Sequence, residues 1–116
     1  MKLFLPLFLF ISFFCSAQSV VPDSAKYHIG SLTTVCGDVI SVYRTDSGTV
    51  FLNFGQAHPH ETFMAVIFKK DISKIKYDLL TLKSKRVCII GMVKMYKGKP
   101  EIIIKQENQI RVQDDE

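Results

Sequence analysis

The sequence predicts an all-β fold, a small barrel of five strands carrying one short helix. Three observations predict it. Segments rich in β-branched residues recur from Ser31 onward, each bounded by turn residues. Gly37 and Gly91 stand inside two of these segments, and strands of a small barrel must bend sharply to close. A single stretch of helical period, Asp71 to Leu80, separates the third strand from the fourth.

The elements follow in order. Residues 18–30 read as an N-terminal arm, because Pro22, Asp23 and Ser24 discourage regular structure. The domain proper spans 31–112. Its first strand runs from Thr33 to Tyr43, and Thr45-Asp46-Ser47-Gly48 makes a turn. Thr49 to Phe54 is the second strand, ended by Gly55. A loop around Pro59 leads to the third strand, Thr62 to Phe68. In the helical stretch Ile72, Ile75 and Leu79 share one face. Arg86 to Tyr96 is the fourth strand, Lys97-Gly98-Lys99-Pro100 a hairpin connection, and Glu101 to Lys105 the fifth strand. Asn108 to Val112 extends that edge, and 113–116 is an acidic tail. The order β-β-β-α-β-β matches the OB-fold, a partly open Greek-key barrel. One sheet packed on a helix is the alternative.

Residues 1–17 stand apart from this domain. Lys2 supplies a positive start, and Leu3 to Phe14 form an apolar run broken only by Pro6 and Ser12. Cys15-Ser16-Ala17 then supplies small residues before Gln18-Ser19. This is the layout of a secretory signal peptide cut after Ala17. The run of 12 residues falls short of the roughly 20 that span a bilayer. The expected product is an exported chain, periplasmic or extracellular, with no stable membrane anchor after cleavage. Cys15 admits lipid attachment as a rival, but Phe14 stands where a lipobox wants a small residue.

Two cysteines remain in the domain, Cys36 and Cys88. Export permits a disulfide. Both lie early in strands expected to pair antiparallel, which separates them by about five residues along the ladder, or ~17 Å. A disulfide needs Cα atoms within about 7 Å, so two separate thiols are expected.

Charge is concentrated. Residues 69–105 carry eleven basic and three acidic side chains, net +8, within a chain whose formal net charge is +4. A basic segment suits a polyanion. It equally suits a solvated lysine-rich surface.

Four stretches then point to a family. They are Val35-Cys36-Gly37-Asp38-Val39-Ile40-Ser41-Val42, Phe51-Leu52-Asn53-Phe54-Gly55, Phe63-Met64-Ala65-Val66-Ile67-Phe68, and Tyr96-Lys97-Gly98-Lys99-Pro100-Glu101-Ile102 with Gln109-Ile110. In this order they resemble the OB-fold domain of bacterial exported proteins, also found beside some extracellular nucleases. The resemblance covers 31–112 and implies nucleic-acid binding. No nuclease domain accompanies the module in this sequence.

An OB barrel binds on the face of its second and third strands, flanked by the loops joining strands one to two and four to five. If Val50, Leu52 and Phe54 point inward, Phe51 and Asn53 point outward. Inward Phe63, Ala65 and Ile67 likewise leave Met64, Val66 and Phe68 outside. Exposed aromatics there stack on bases, unless the helix, the arm or a partner protein covers the face. Tyr96, Lys97 and Lys99 add an aromatic plane beside two ammonium groups, though the same residues make an ordinary soluble turn. Tyr43 and Arg44 lead toward the same groove. The candidate nucleic-acid-binding residues are therefore Tyr43, Arg44, Phe51, Asn53, Tyr96, Lys97 and Lys99. His58-Pro59-His60-Glu61 holds metal-ligand types, but its spacing is local and reads as a solvated loop. No nucleophile motif or phosphate-binding glycine loop is present. The expectation is a binding module, without catalysis, cofactor or metal, whose partner is nucleic acid or a protein.

Overall fold

The computed structural model describes residues 18–113. The expected signal peptide over 1–17, Cys15 with its lipid alternative, and the end of the acidic tail lie outside them. Period-two alternation builds the core. Val50, Leu52 and Phe54 of β3 (Val50–Phe54) and Phe63, Ala65 and Ile67 of β4 (Phe63–Ile67) are all buried. Val35, Val39, Val87, Ile89, Ile102 and Ile104 join them in the interior. Each fully buried aliphatic or aromatic side chain contributes about 1.5–3 kcal/mol of transfer free energy.

A long first strand, β2 (Leu32–Arg44), serves two partners. Leu32 to Asp38 pairs antiparallel with β5 (Arg86–Met92). Val39 to Arg44 pairs antiparallel with β3, with a register shift between Val39 and Ser41. Gly37 lies at the changeover. A Cβ there would meet Pro22 Cγ at 2.6 Å, so only glycine lets the arm cross. β3 then pairs with β4, and β4 runs parallel to β7 (Lys99–Ile103). Short β6 (Lys94–Tyr96) pairs with β7 across a two-residue turn. Lys97 and Gly98 both have positive φ, 48° and 79°, the mark of a type I′ hairpin. Two further short strands flank the barrel: β1 (Ser19–Val20) on β2, and β8 (Ile110–Val112) on β5. The strand path β6-β7-β4-β3-β2-β5-β8 is a Greek-key barrel of the expected kind.

Three local expectations change. The fourth strand breaks at buried Val93, which lets β5 face β2 while β6 faces β7. The helix over Asp71–Leu80 reduces to one turn, Lys69–Ile72, and a separate 3-10 turn, Leu79–Leu82. The stretch is too short to hold a helix by itself, and the Asp78 carboxylate starts a new turn by accepting from the Leu80 amide at 3.2 Å. Its apolar residues still reach the core, since Ile75, Leu79 and Leu82 are buried. The arm, expected to be irregular, forms β1 and a 3-10 helix over Pro22–Tyr27 that buries Ala25.

The expected pair of separate thiols is corrected. Cys36 and Cys88 are register partners and form a disulfide, with Cα atoms 4.0 Å apart. The estimate of ~17 Å set the start of one strand against the end of the other over their full lengths. Because β2 gives only its first half to β5, Cys36 sits at the middle of that shorter ladder, opposite Cys88. Replacing both cysteines by serine should cost about 2–4 kcal/mol, seen as a lower urea midpoint. Alkylation of the unfolded, unreduced protein should modify neither cysteine. Labelling at both would overturn the pairing.

Candidate binding groove

The outer face of β3 and β4 forms the floor of a groove of about 760 Å³. From β2 come Ser41, Val42 and Tyr43; from β3, Phe51 and Asn53; from β4, Met64. One wall is the loop between β3 and β4, with Ala57, His58 and Glu61. The other is the β6–β7 hairpin, with Tyr96, Lys97 and Lys99. Strand pairing sets Tyr43 opposite Phe51 and Ser41 opposite Asn53. The Tyr43 and Phe51 rings lie 6.5 Å apart with planes 29° apart, a stacked pair. Tyr43 and Tyr96 are exposed, and the Lys97 ammonium lies 5.3 Å from the centre of the Tyr96 ring, within cation–π range.

The two walls are tied together. The Lys99 ammonium donates to the Glu61 carboxylate and, at 2.6 Å, to the Pro59 carbonyl. Glu61 is buried, and its carboxylate also meets His58 Nδ1 at 3.0 and 3.1 Å. Burial alone would raise the Glu61 carboxyl. The hydrogen bonds from Lys99, from its own backbone and from His58, with the Lys99 charge, outweigh burial and hold it below its ordinary value of 4.5. A second buried carboxylate, Glu101, pairs in register with Met64 on one side and Lys94 on the other. Burial raises its carboxyl, and the Lys94 charge offsets this only in part.

Of the seven residues put forward by the sequence, six line this groove: Tyr43, Phe51, Asn53, Tyr96, Lys97 and Lys99. Arg44 is exposed opposite Val50 and does not line it. Asn53 is buried on the floor, its amide donating to the Ser41 hydroxyl at 3.1 Å. Met64 and Val66, expected outside, are buried as well, while Phe68 is exposed. β4 lies between β3 and β7 in the sheet, and neighbours on both sides shelter its outer side chains. The residue that sequence reasoning missed is Glu61. Its partner lies 38 residues away, so no local pattern announces it. Among the described residues no three His, Cys, Asp or Glu side chains gather to hold a metal ion. A second cavity, about 780 Å³, lies on β1, β2, β5 and β8 beside the disulfide.

No family model and no curated protein matches the chain. Solved structures do. Asparaginyl-tRNA synthetase from Pyrococcus horikoshii aligns over 83% of this chain and 23% of its own, at 16% identity and a TM-score of 0.56. The Stn1-ten1 complex from S. pombe aligns over 72% and 59%, at 12% identity and a TM-score of 0.56. The hypothetical protein ygiW from E. coli aligns over 84% of this chain and 92% of its own, at 23% identity and a TM-score of 0.52. The fold is an OB barrel. The chain spans less than a quarter of that synthetase, and at these identities the likeness concerns the fold alone.

The two buried carboxylates give opposite pH effects. A depressed Glu61 stabilises the fold above pH 4.5, and this contribution is lost as pH falls through its lower folded value. Glu61→Gln should therefore lose about 1–3 kcal/mol at neutral pH and show a flatter acid limb in thermal melts between pH 3 and 7. Glu101 is raised, so its cost is absent below pH 4.5 and sets in as pH rises through the folded value. Glu101→Gln should raise the melting temperature at pH 7 and leave it unchanged in acid. A lower melting temperature at pH 7 would contradict the assignment.

Proposed function

We propose that this chain is an exported OB-fold binding module that takes single-stranded nucleic acid, without sequence preference, in the groove over β3 and β4. The observation that carries this reading is the convergence of Tyr43, Phe51 and Tyr96 on one groove, on the strand face by which OB barrels bind oligonucleotides. Every base has a π-face, so stacking is indifferent to sequence. The basic stretch from Lys69 to Lys105 favours a polyanion. Among the structural neighbours, the tRNA synthetases act by name on a nucleic acid. Export is supported by the sequence of 1–17 and by the Cys36–Cys88 disulfide, since disulfides persist in oxidising compartments. The proposed role is binding, not catalysis.

Labelled oligonucleotides titrated into protein expressed from the full sequence test the reading. Phe51→Ser and Tyr96→Ser should each weaken binding by about 1–3 kcal/mol. With Lys99 engaged by Glu61, Lys97 remains as the phosphate contact of the groove. One contact on a single strand gives a slope of log K against log salt of about −0.7. Binding no tighter than that of an uncharged control protein at low salt would sink the idea.

A second reading rests on the apolar lining by Val42, Phe51, Ala57 and Met64, together with the engaged Lys99. On this reading the groove holds a protein segment or a small ligand. Association would then be insensitive to salt, lost on Phe51→Ser or Met64→Ser, and not displaced by oligonucleotides.

A further inference from the structure

Two lysines line the groove, and they stand in different electrical situations. Lys99 is partly buried and spends its ammonium on the Glu61 carboxylate and the Pro59 carbonyl. Lys97 is exposed and, among the described residues, makes no salt bridge. The Lys99–Glu61 contact is also the point where the hairpin wall meets the loop wall. Lys99 follows Tyr96 around the turn as its register partner, so whatever fixes Lys99 fixes the base of the hairpin that carries the Tyr96 ring.

We propose that the Glu61–Lys99 pair is a latch that holds the two walls of the groove together and makes the wall facing a ligand electrically neutral. Lys99 is thereby a positioning residue and not a phosphate contact. The groove takes the planar bases of a strand, while the phosphates stay outside and meet Lys97. A phosphate brought to Lys99 would approach an ionised carboxylate and be repelled by it; an uncharged ring meets no such repulsion. A stacked pair, Tyr43 and Phe51, already lies on the floor, and a latched hairpin keeps Tyr96 beside it. This inference rests on the nucleic-acid reading for its ligand, but the latch itself does not.

The test compares wild type with Lys97→Met, Lys99→Met and the double variant Glu61→Gln, Lys99→Gln, all in the full chain. Each is titrated with an oligo-dT and with an abasic oligomer of equal length and charge. The abasic strand should bind at least about fivefold more weakly than oligo-dT, as expected from the loss of even one stacked base. Lys97→Met should reduce the magnitude of the salt slope by about 0.7. Lys99→Met should weaken oligo-dT binding with the slope unchanged, and the neutral Gln–Gln pair should restore affinity. Amide hydrogen exchange at 57–61 and 96–99 should quicken in Lys99→Met and return toward wild type in the double variant. A slope reduced by Lys99→Met as much as by Lys97→Met would make Lys99 a phosphate contact and overturn the proposal. Equal affinity for the abasic strand would overturn the base-in orientation, and unchanged exchange would overturn the latch. Should wild type bind neither strand, the nucleic-acid reading and the ligand assignment fail together, and the exchange arm still decides the latch.

Discussion

Strand β2 changes partners halfway along its length, and the other elements take their places from that change. Its first half belongs to β5 and its second half to β3. A straight strand of 13 residues would carry one flat ladder along each edge. The irregularity between Val39 and Ser41 turns the second half away. The sheet can then curl until β7 lies beside β4. The arm is part of the same device, because Pro22 occupies the space that a side chain at residue 37 would need. The disulfide, the groove and the hairpin all depend on this register. One residue of slip would exchange inner for outer side chains along a whole strand.

How much of this was legible in the sequence varies with the range of the interactions. Alternation named Val50, Leu52, Phe54, Phe63, Ala65 and Ile67 as core, because burial on one face of a strand leaves a period-two signature, but it missed the burial of Met64 and Val66 between two neighbouring strands. Gly37 and Gly91 stand where a Cβ would meet Pro22 and Ile102, at 2.6 and 2.5 Å. The groove was legible through the fold. Once the second strand and the last hairpin were located, Tyr43, Phe51 and Tyr96 fell on one groove. What stayed hidden was long-range pairing. The Cys36–Cys88 contact depends on where β2 changes partners, and Glu61 depends on Lys99, far along the chain. The helix was misjudged for another reason. Ile72, Ile75 and Leu79 carried the right period, but a period records which side chains are buried and not whether the backbone between them stays hydrogen-bonded.

The electrostatics of the groove differ from what overall charge suggests. The +8 balance of residues 69–105 describes a surface rich in lysine. At the groove itself one lysine is answered by a buried carboxylate, and a second carboxylate, Glu101, lies in the same cross-strand row as Asn53 and Met64. These acids oppose one another in their effect on the fold. Glu61 is best satisfied when ionised, and Glu101 when protonated. The ion pair in the groove wall thus has as its neighbour in the sheet a carboxylate whose ionised form is penalised by burial.

The cavity beside the disulfide has a consequence for how the domain can be attached to other things. Both ends of the described chain, Gln18 and Gln113, line that cavity along with Cys36 and Cys88. None of its residues is shared with the candidate groove. A tether or a fused neighbour at either end would pull on β1 or β8, the strands that flank the covalently joined β2 and β5. Load applied at either end would enter the half of the barrel that the sulfur bridge joins, whereas the groove is lined by other residues. The points of attachment and the candidate groove therefore draw on separate sets of side chains.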